Sequence, residues 1–175
     1  MKKLMMLAAF VMMSVAAMAQ AGTQAVGIGA NYGTKSGYSP FGVGVKYQNE
    51  FVKNIRGEVA FNYYFPKDIG YGKMSFYDVN ANFHYLFQLA PKFNFYPAVG
   101  LSYESAHVSM ESMSYEDDDI QIEVEGGSNT EHKLGVNLGG GIEYYLGNSL
   151  KVNAEVKYQT WVKWVTIGVG LSYVF

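Results

Sequence analysis

From residue 25 to the last residue, apolar and polar side chains alternate with a period of two, the mark of β-strands with two unlike faces. Eight such runs recur, separated by stretches rich in Gly, Asn, Asp, Ser or Lys. In the first, Val26, Ile28, Ala30 and Tyr32 share one face, and Gly27, Gly29 and Asn31 the other. The second sets Phe41, Val43, Val45 and Tyr47 against Gly42, Gly44, Lys46 and Gln48. The third sets Gly57, Val59, Phe61 and Tyr63 against Arg56, Glu58, Ala60 and Asn62, and the fourth sets Tyr77, Val79, Ala81, Phe83 and Tyr85 against Asp78, Asn80, Asn82 and His84. The fifth runs over 94–104, where Pro97 is the one local objection to a strand. The sixth, seventh and eighth cover 133–144, 152–159 and 165–175.

Alternation alone does not say which face points inward, because a water-soluble sandwich and a membrane barrel share it. Three features of the pattern favour the barrel. The apolar face is aromatic near the strand ends, with Tyr47, Tyr63, Tyr77, Tyr85, Phe87, Phe95, Tyr103, Tyr144, Tyr158 and Tyr173, as in the two interfacial girdles of a membrane barrel. The polar face is rich in glycine and carries charges of both signs in mid-strand, which suits a crowded lumen. The connections also alternate in length: 49–54, 88–92 and 147–150 are short, whereas 34–40, 66–73 and 109–130 are longer, with 161–164 a short exception. The fold these features predict is all-β, an eight-stranded antiparallel up-and-down transmembrane barrel. An even strand count closes the sheet, so that every backbone group is satisfied within lipid, and eight strands leave a lumen that side chains fill.

Composition adds a compartment. Lys2 and Lys3, an apolar stretch over 4–15 and small residues around Ala17 and Ala19 read as a signal peptide over 1–19, leaving one domain over 20–175. The two lysines are among the 13 basic residues, so the exported part carries 11 against 15 acidic ones, which excludes a nucleic-acid partner. With no cysteine, neither a disulfide framework nor a thiolate metal site is available, and no cofactor is expected.

The closing segment, with Gly170, Leu171, Tyr173 and a terminal Phe175, looks like the signal by which barrel-assembly machinery recognises outer-membrane substrates. Together with the eight strands it resembles the small outer-membrane β-barrel family typified by OmpX and the OmpA membrane domain. That resemblance implies a monomer in the outer membrane of a Gram-negative bacterium, in contact with lipid and lipopolysaccharide, with a role in adhesion, envelope integrity or defence rather than a reaction.

Two groups of charged residues are candidates for function. The inward face collects Lys46, Arg56, Lys133 and Lys157 against Glu58, Asp78, Glu104, Glu143 and Glu155. A nearly neutral set in a narrow lumen is expected to pair with itself and plug the barrel, the alternative being a narrow gated channel. The 109–130 connection holds Glu111, Glu116, Asp117, Asp118, Asp119, Glu123 and Glu125 and no base inside them, so that the rest of the exported chain has an excess of positive charge. This acidic connection is read as a solvated surface, as a divalent-cation site at Glu116, Asp117, Asp118 and Asp119, or as a protruding hairpin that meets an extracellular protein. Finally, His107 and Ser109 resemble the His-x-Ser arrangement of lipid A deacylases, a third functional class, but no acidic residue stands out to orient the histidine. His84 is expected to be a hydrogen-bonded lumen residue and His132 an interfacial one.

Overall fold

The computed structural model describes residues 22–34, 39–68, 72–110, 113–117, 120–124 and 127–175; of 113–117 and 120–124 it describes the backbone. The signal-peptide residues 1–19 lie outside this range. Eleven strands follow in chain order: β1 (Gln24–Thr34), β2 (Phe41–Val52), β3 (Ile55–Asp68), β4 (Gly72–Tyr85), β5 (Phe87–Ala90), β6 (Phe93–Met110), β7 (Met113–Asp117), β8 (Ile120–Val124), β9 (Ser128–Tyr145), β10 (Leu150–Gln159) and β11 (Trp164–Val174).

Every neighbouring pair is antiparallel, and the order β4-β3-β2-β1-β11-β10-β9-β6 closes on itself through the β4–β6 pairing. β5 prolongs the line of β4 beyond Leu86, so the barrel has eight staves. The seam between the first and last strands is continuous, from Ala25↔Val174 to Thr34↔Val165, and the paired amides of Gln24 and Phe175 seal its end. Closure leaves no edge within the barrel wall, which is what a sheet in hydrocarbon requires.

The faces are inverted relative to a water-soluble protein. The buried residues are dominated by Asn, Gln, Glu, Asp, Lys and Arg, while Ile28, Val45, Leu101, Leu138, Val156 and Val169 stand exposed on the outside. Their environment is therefore lipid. Exposed aromatics gather toward both ends of the wall: Tyr85, Phe87, Phe95, Tyr144, Tyr173 and Phe175 at the end that carries the short turns, and Tyr32, Phe41, Tyr63, Phe65 and Tyr158 at the other. Two belts of this kind match the two bilayer interfaces.

Pro97 sits outward in β6, opposite Tyr85 at the end of β4, and the gap between β4 and β5 falls one residue further on, at Leu86 opposite Tyr96. The β4–β6 ladder ends at His84↔Ala98 and resumes as Phe87↔Phe95, so two pairs are passed over, Tyr85 with Pro97, where proline has no N–H to give, and Leu86 with Tyr96. Leu86 donates its amide to the Asn54 carbonyl at 2.8 Å and buries its side chain against Tyr96 and Ala98. Gly100 is needed at its position in β6, because a Cβ there would lie 2.2 Å from the Ala81 carbonyl oxygen and 2.7 Å from Asn82 Cα.

Strand length separates the two ends. A tilted strand crosses a bilayer in about 9–11 residues, which β1, β10 and β11 approximate, whereas β6 and β9 have 18 each. The surplus lies at the end with the long connections, where β3, β4, β6 and β9 rise above the rest as a partial wall. β7 and β8 pair as a hairpin between β6 and β9, from Met113↔Val124 to Asp117↔Ile120.

Candidate functional site

Because side chains alternate, each strand delivers every second residue to the lumen, where they meet in three layers. Nearest the short turns, the Arg56 guanidinium donates from Nη1 to Glu143 Oε2 at 2.6 Å, and Lys151 Nζ reaches the same oxygen at 3.0 Å. Asn94 Nδ2 supplies the other carboxylate oxygen at 3.0 Å. Arg56 also lies 4.8 Å over the Tyr96 ring, on which the His84 ring is stacked at 4.7 Å. Its Nε and Nη2 face His84 Nδ1 at 3.2 and 3.1 Å. An arginine has only donors to offer, so Nδ1 accepts and the ring proton of the neutral histidine is on Nε2.

In the middle layer Glu58 accepts from Gln48 at 2.7 Å and from Asn82 at 3.1 Å, with Lys46 Nζ at 3.8 Å. Glu155 pairs with Lys157 at 2.9 Å and accepts from the Tyr96 hydroxyl at 3.1 Å. Glu58, His84 and Glu155 offer donor atoms within 4.8 Å of one another, the spacing of a metal site. The donor chemistry does not fit one: each carboxylate already faces a lysine, and the histidine nitrogen toward Glu58, 3.8 Å away, is the protonated Nε2. A cavity of about 30 Å³ beside them is lined by Lys46, Glu58, Asn62, Asn153, Glu155 and Lys157. It has room for about two water molecules.

The upper layer is different in kind. Asp78 makes no direct ion pair among the described residues and is held by amides, from Asn62 at 2.7 Å, from Gln159 at 3.0 Å and from Asn80. Glu104 accepts from Ser102. Above them Tyr64, Phe76, Val162 and Trp164 form a buried cluster across the mouth. The Trp164 ring meets Phe76 edge-on at 4.9 Å and Tyr64 at 5.5 Å, and its Nε1 donates to Gln159 Oε1. The β10–β11 turn makes this possible. Lys163 adopts a positive φ of 53°, and the turn folds back so that Val162 drops into the mouth while Trp161 packs on Phe76 from outside. The short connection that broke the alternation of loop lengths is thus part of the stopper.

Lys46, Arg56, Glu58, Asp78, Glu104, Glu143, Glu155 and Lys157 all line the lumen. Lys133 does not, and its expected place in the network is corrected: its side chain is 51% exposed and pairs with Glu131 at 2.6 Å, its amine 5.5 Å over the Trp161 ring. It has the inward parity, but it lies above the stopper, where the lumen has already closed. Sequence reasoning missed Lys151 and the stopper aromatics, and although alternation puts Tyr96 on the inward face of the fifth run, it gave no sign of its stacking on Arg56 and His84. The signal for the aromatics was their parity: Tyr64, Phe76 and Trp164 continue the polar faces of their strands.

On the outer surface, His107 Nδ1 lies 2.8 Å from the Thr130 hydroxyl on the neighbouring strand. Ser109 is two residues further along β6 and faces Ser128 and Lys73 in the ladders. No His107–Ser109 hydrogen bond and no acid beside the histidine occur among the described residues. His132 stacks on Tyr103 at 5.7 Å. Of the acidic residues, Glu116 and Asp117 are on β7 and Glu123 on β8, whereas Glu111, Asp118, Asp119 and Glu125 lie outside the described residues. Leu171, Tyr173 and Phe175 point outward near the short-turn end, with Gly170 on the lumen side.

Residues 5–175 match the family model described as outer membrane protein beta-barrel domain. Among curated proteins, none matches the chain. Solved structures match along nearly their whole length. Neisserial surface protein A has a TM-score of 0.63 at 13% identity, with 86% of this chain and 95% of that one covered. OprG from Pseudomonas aeruginosa has 0.60 at 13%, covering 89% and 96%. Ail, the attachment invasion locus protein of Yersinia pestis, has 0.56 at 17%, covering 88% and 99%.

Proposed function

We propose that this chain, which belongs to the outer membrane protein beta-barrel domain family, is a surface-contact protein: a closed barrel that holds an interaction surface outside the cell. The end with the long connections is then extracellular. The observation that carries this reading is the height of β6 and β9 above the rest of the barrel, with a hairpin between them whose segment 111–127 contains seven acidic residues and no basic one. Extra strand length beyond the bilayer contributes nothing to crossing it, so its use lies in the medium outside.

The lumen supports the same division of labour. Every charge in the two lower layers stands in an ion pair, Arg56 and Lys151 sharing Glu143, and an aromatic stopper covers the mouth. Function is therefore assigned outside the barrel, and neither the channel nor the hydrolase reading has a comparable observation in its favour. The exported form begins at Gln20 after removal of 1–19, and the outward aromatics at Tyr173 and Phe175 serve recognition by the barrel-assembly machinery. Lipid and lipopolysaccharide surround the wall.

Ail has been crystallised with the heparin analogue sucrose octasulfate, a polyanion. A connection whose charged residues are all acidic repels such a ligand, so the partner of this chain belongs to a different class, basic or neutral. Deleting 116–126 should abolish adhesion conferred on cells that express the protein, while heat-modifiable migration on unboiled gels shows the barrel still folded. Adhesion that persists at the original level in the deletion would refute the reading.

A further inference from the structure

The lumen face of the barrel does not end at the stopper. In β4, β6 and β9 the same alternation continues upward, and the register aligns Phe76, Ala106 and Glu131 in one row and Met74, Val108 and Asn129 in the next. Across from them the wall stops short, because β10 ends at Gln159 and the chain turns back at 160–163. The raised wall therefore has one open side, and at the foot of its inner face stand Trp161 and Val162 of the turn. Wall and turn enclose a groove of about 280 Å³, lined by Met74, Ala106, Val108, Glu131, Trp161 and Val162.

Apart from Glu131 these side chains are apolar, so the groove is an apolar trough with one carboxylate beside an indole. Lys133 shows what that pair attracts. Its amine stands 2.6 Å from Glu131 Oε1 and 5.5 Å over the Trp161 ring, although Lys133 is at the rim of the groove rather than in its lining. The side chains of the lysine and the glutamate are 51% and 57% exposed, so their ion pair contributes little and an incoming cation exchanges with it at small cost. The chain thus places a cation of its own on the two groups that a cationic ligand would use.

Size and chemistry select the occupant. At about 280 Å³ the groove falls just below the range of small-molecule pockets, roughly 300–1,000 Å³, and suits a single long side chain. Its apolar length matches the methylenes of a lysine or an arginine, and its indole and carboxylate match the charged end. Arginine is the better of the two: its guanidinium is planar, stacks on an aromatic face and grips a carboxylate with two donors, whereas an ammonium is a strongly hydrated point charge. The connection that joins β6 to β9, two of the strands forming the groove, carries seven acids and no base and draws a basic segment to this place. Resting on the reading of this end as the contact surface, we infer that the groove at Glu131 and Trp161 is the anchor pocket for an arginine side chain of a basic extracellular protein, with Lys133 as its resident competitor. Buried arginines are among the side chains that carry most of the affinity of protein contacts.

The test uses the full-length folded protein in zwitterionic detergent micelles and a capped tripeptide with arginine between two glycines, together with its lysine, citrulline and norleucine counterparts. The chain has two tryptophans, so an isotope-labelled sample gives two indole N–H signals in NMR, Trp161 reporting on the groove and Trp164 on the buried cluster. The expected result is a saturable shift of the Trp161 signal alone. The arginine peptide should bind about tenfold more tightly than the citrulline or norleucine peptide, and more tightly than the lysine one. Glu131→Gln should weaken arginine binding about tenfold, and Val108→Phe, which fills the groove without altering charge, should abolish it. Lys133→Met, which removes the competitor, should strengthen it about threefold. All three residues lie above the stopper, and heat-modifiable migration checks that each variant folds; should Val108→Phe fail that check, the two exposed sites decide alone. Equal binding of the arginine peptide and any of its counterparts, an unmoved Trp161 signal, or no gain in Lys133→Met would overturn the site. On cells, adhesion lost in the 116–126 deletion but kept at the original level in Glu131→Gln would also overturn it while leaving the surface-contact reading intact; adhesion kept in both would remove that reading too.

Discussion

Replacing Glu143 with alanine should lower the stability of the folded barrel by about 3–5 kcal/mol, the usual loss when one member of a buried ion pair is removed. Glu143 is the only carboxylate that Arg56 and Lys151 touch in ion pairs among the described residues, and both cations have side chains 3% exposed. Without it two positive charges remain in a lumen that water reaches poorly, and Asn94 loses its acceptor as well. Denaturant unfolding of the protein in micelles, followed by tryptophan fluorescence or by the shift in gel migration, measures the change. A loss below about 1 kcal/mol would mean that the cations find solvent and that the lower layer is not sealed. Replacing all three partners together, with Arg56→Met, Glu143→Leu and Lys151→Met, should be milder than the single change, because no unpaired charge is left behind.

Trp164→Ala should cost a similar amount, about 3–5 kcal/mol, for a different reason: the loss of an aromatic side chain from a packed cluster leaves a cavity that its neighbours fill only in part. Trp164 is 2% exposed, touches Tyr64 and Phe76 ring to ring, and holds Gln159, which in turn donates to Asp78. The alanine variant therefore loosens the stopper and the amide cage of a buried carboxylate together. Thermal unfolding should show a lower midpoint, and Trp164→Phe should fall between the two because it keeps the ring packing but not the Nε1 donor. A midpoint unchanged in Trp164→Ala would show that the stopper does not contribute to stability.

How much of this was legible beforehand follows from what alternation encodes. A period of two assigns each residue to a face without reference to any other strand, and one-residue slips invert a whole face, so Glu58, Asp78 and Glu155 could be placed in the lumen from the pattern alone. Alternation is silent about height along the barrel axis. Lys133 has the inward parity yet lies above the stopper, and no local feature of its sequence distinguishes it from Lys157. Lys151 was missed for a boundary reason: the strand was begun at Val152, one residue after the lysine that completes the Glu143 cluster. The stopper went unread because its members were sorted by residue type. Aromatic side chains were expected on the lipid face, although Tyr64 follows Asn62, Phe76 precedes Asp78 and Trp164 precedes Thr166 on polar faces. Pro97 is a local objection to a strand, and only the register shows that the neighbouring ladder passes over the position of Tyr85 opposite it.

The raised wall was partly legible. A protruding hairpin was one reading of the acidic connection, and β7 and β8 form one within it. That β9 continues upward with one side open could not be read from the pattern, since it depends on where β10 stops, and the turn at 160–163 has neither Gly nor Pro to announce it.

The molecule divides into a closed barrel and a working surface outside it, and planar-bilayer recording of the purified protein tests that division most directly. With the two lower layers paired and the mouth stopped by Tyr64, Phe76, Val162 and Trp164, the native protein should insert and give no steady conductance. Steady, discrete conductance steps from folded native protein would contradict the closed lumen and return function to the inside of the barrel.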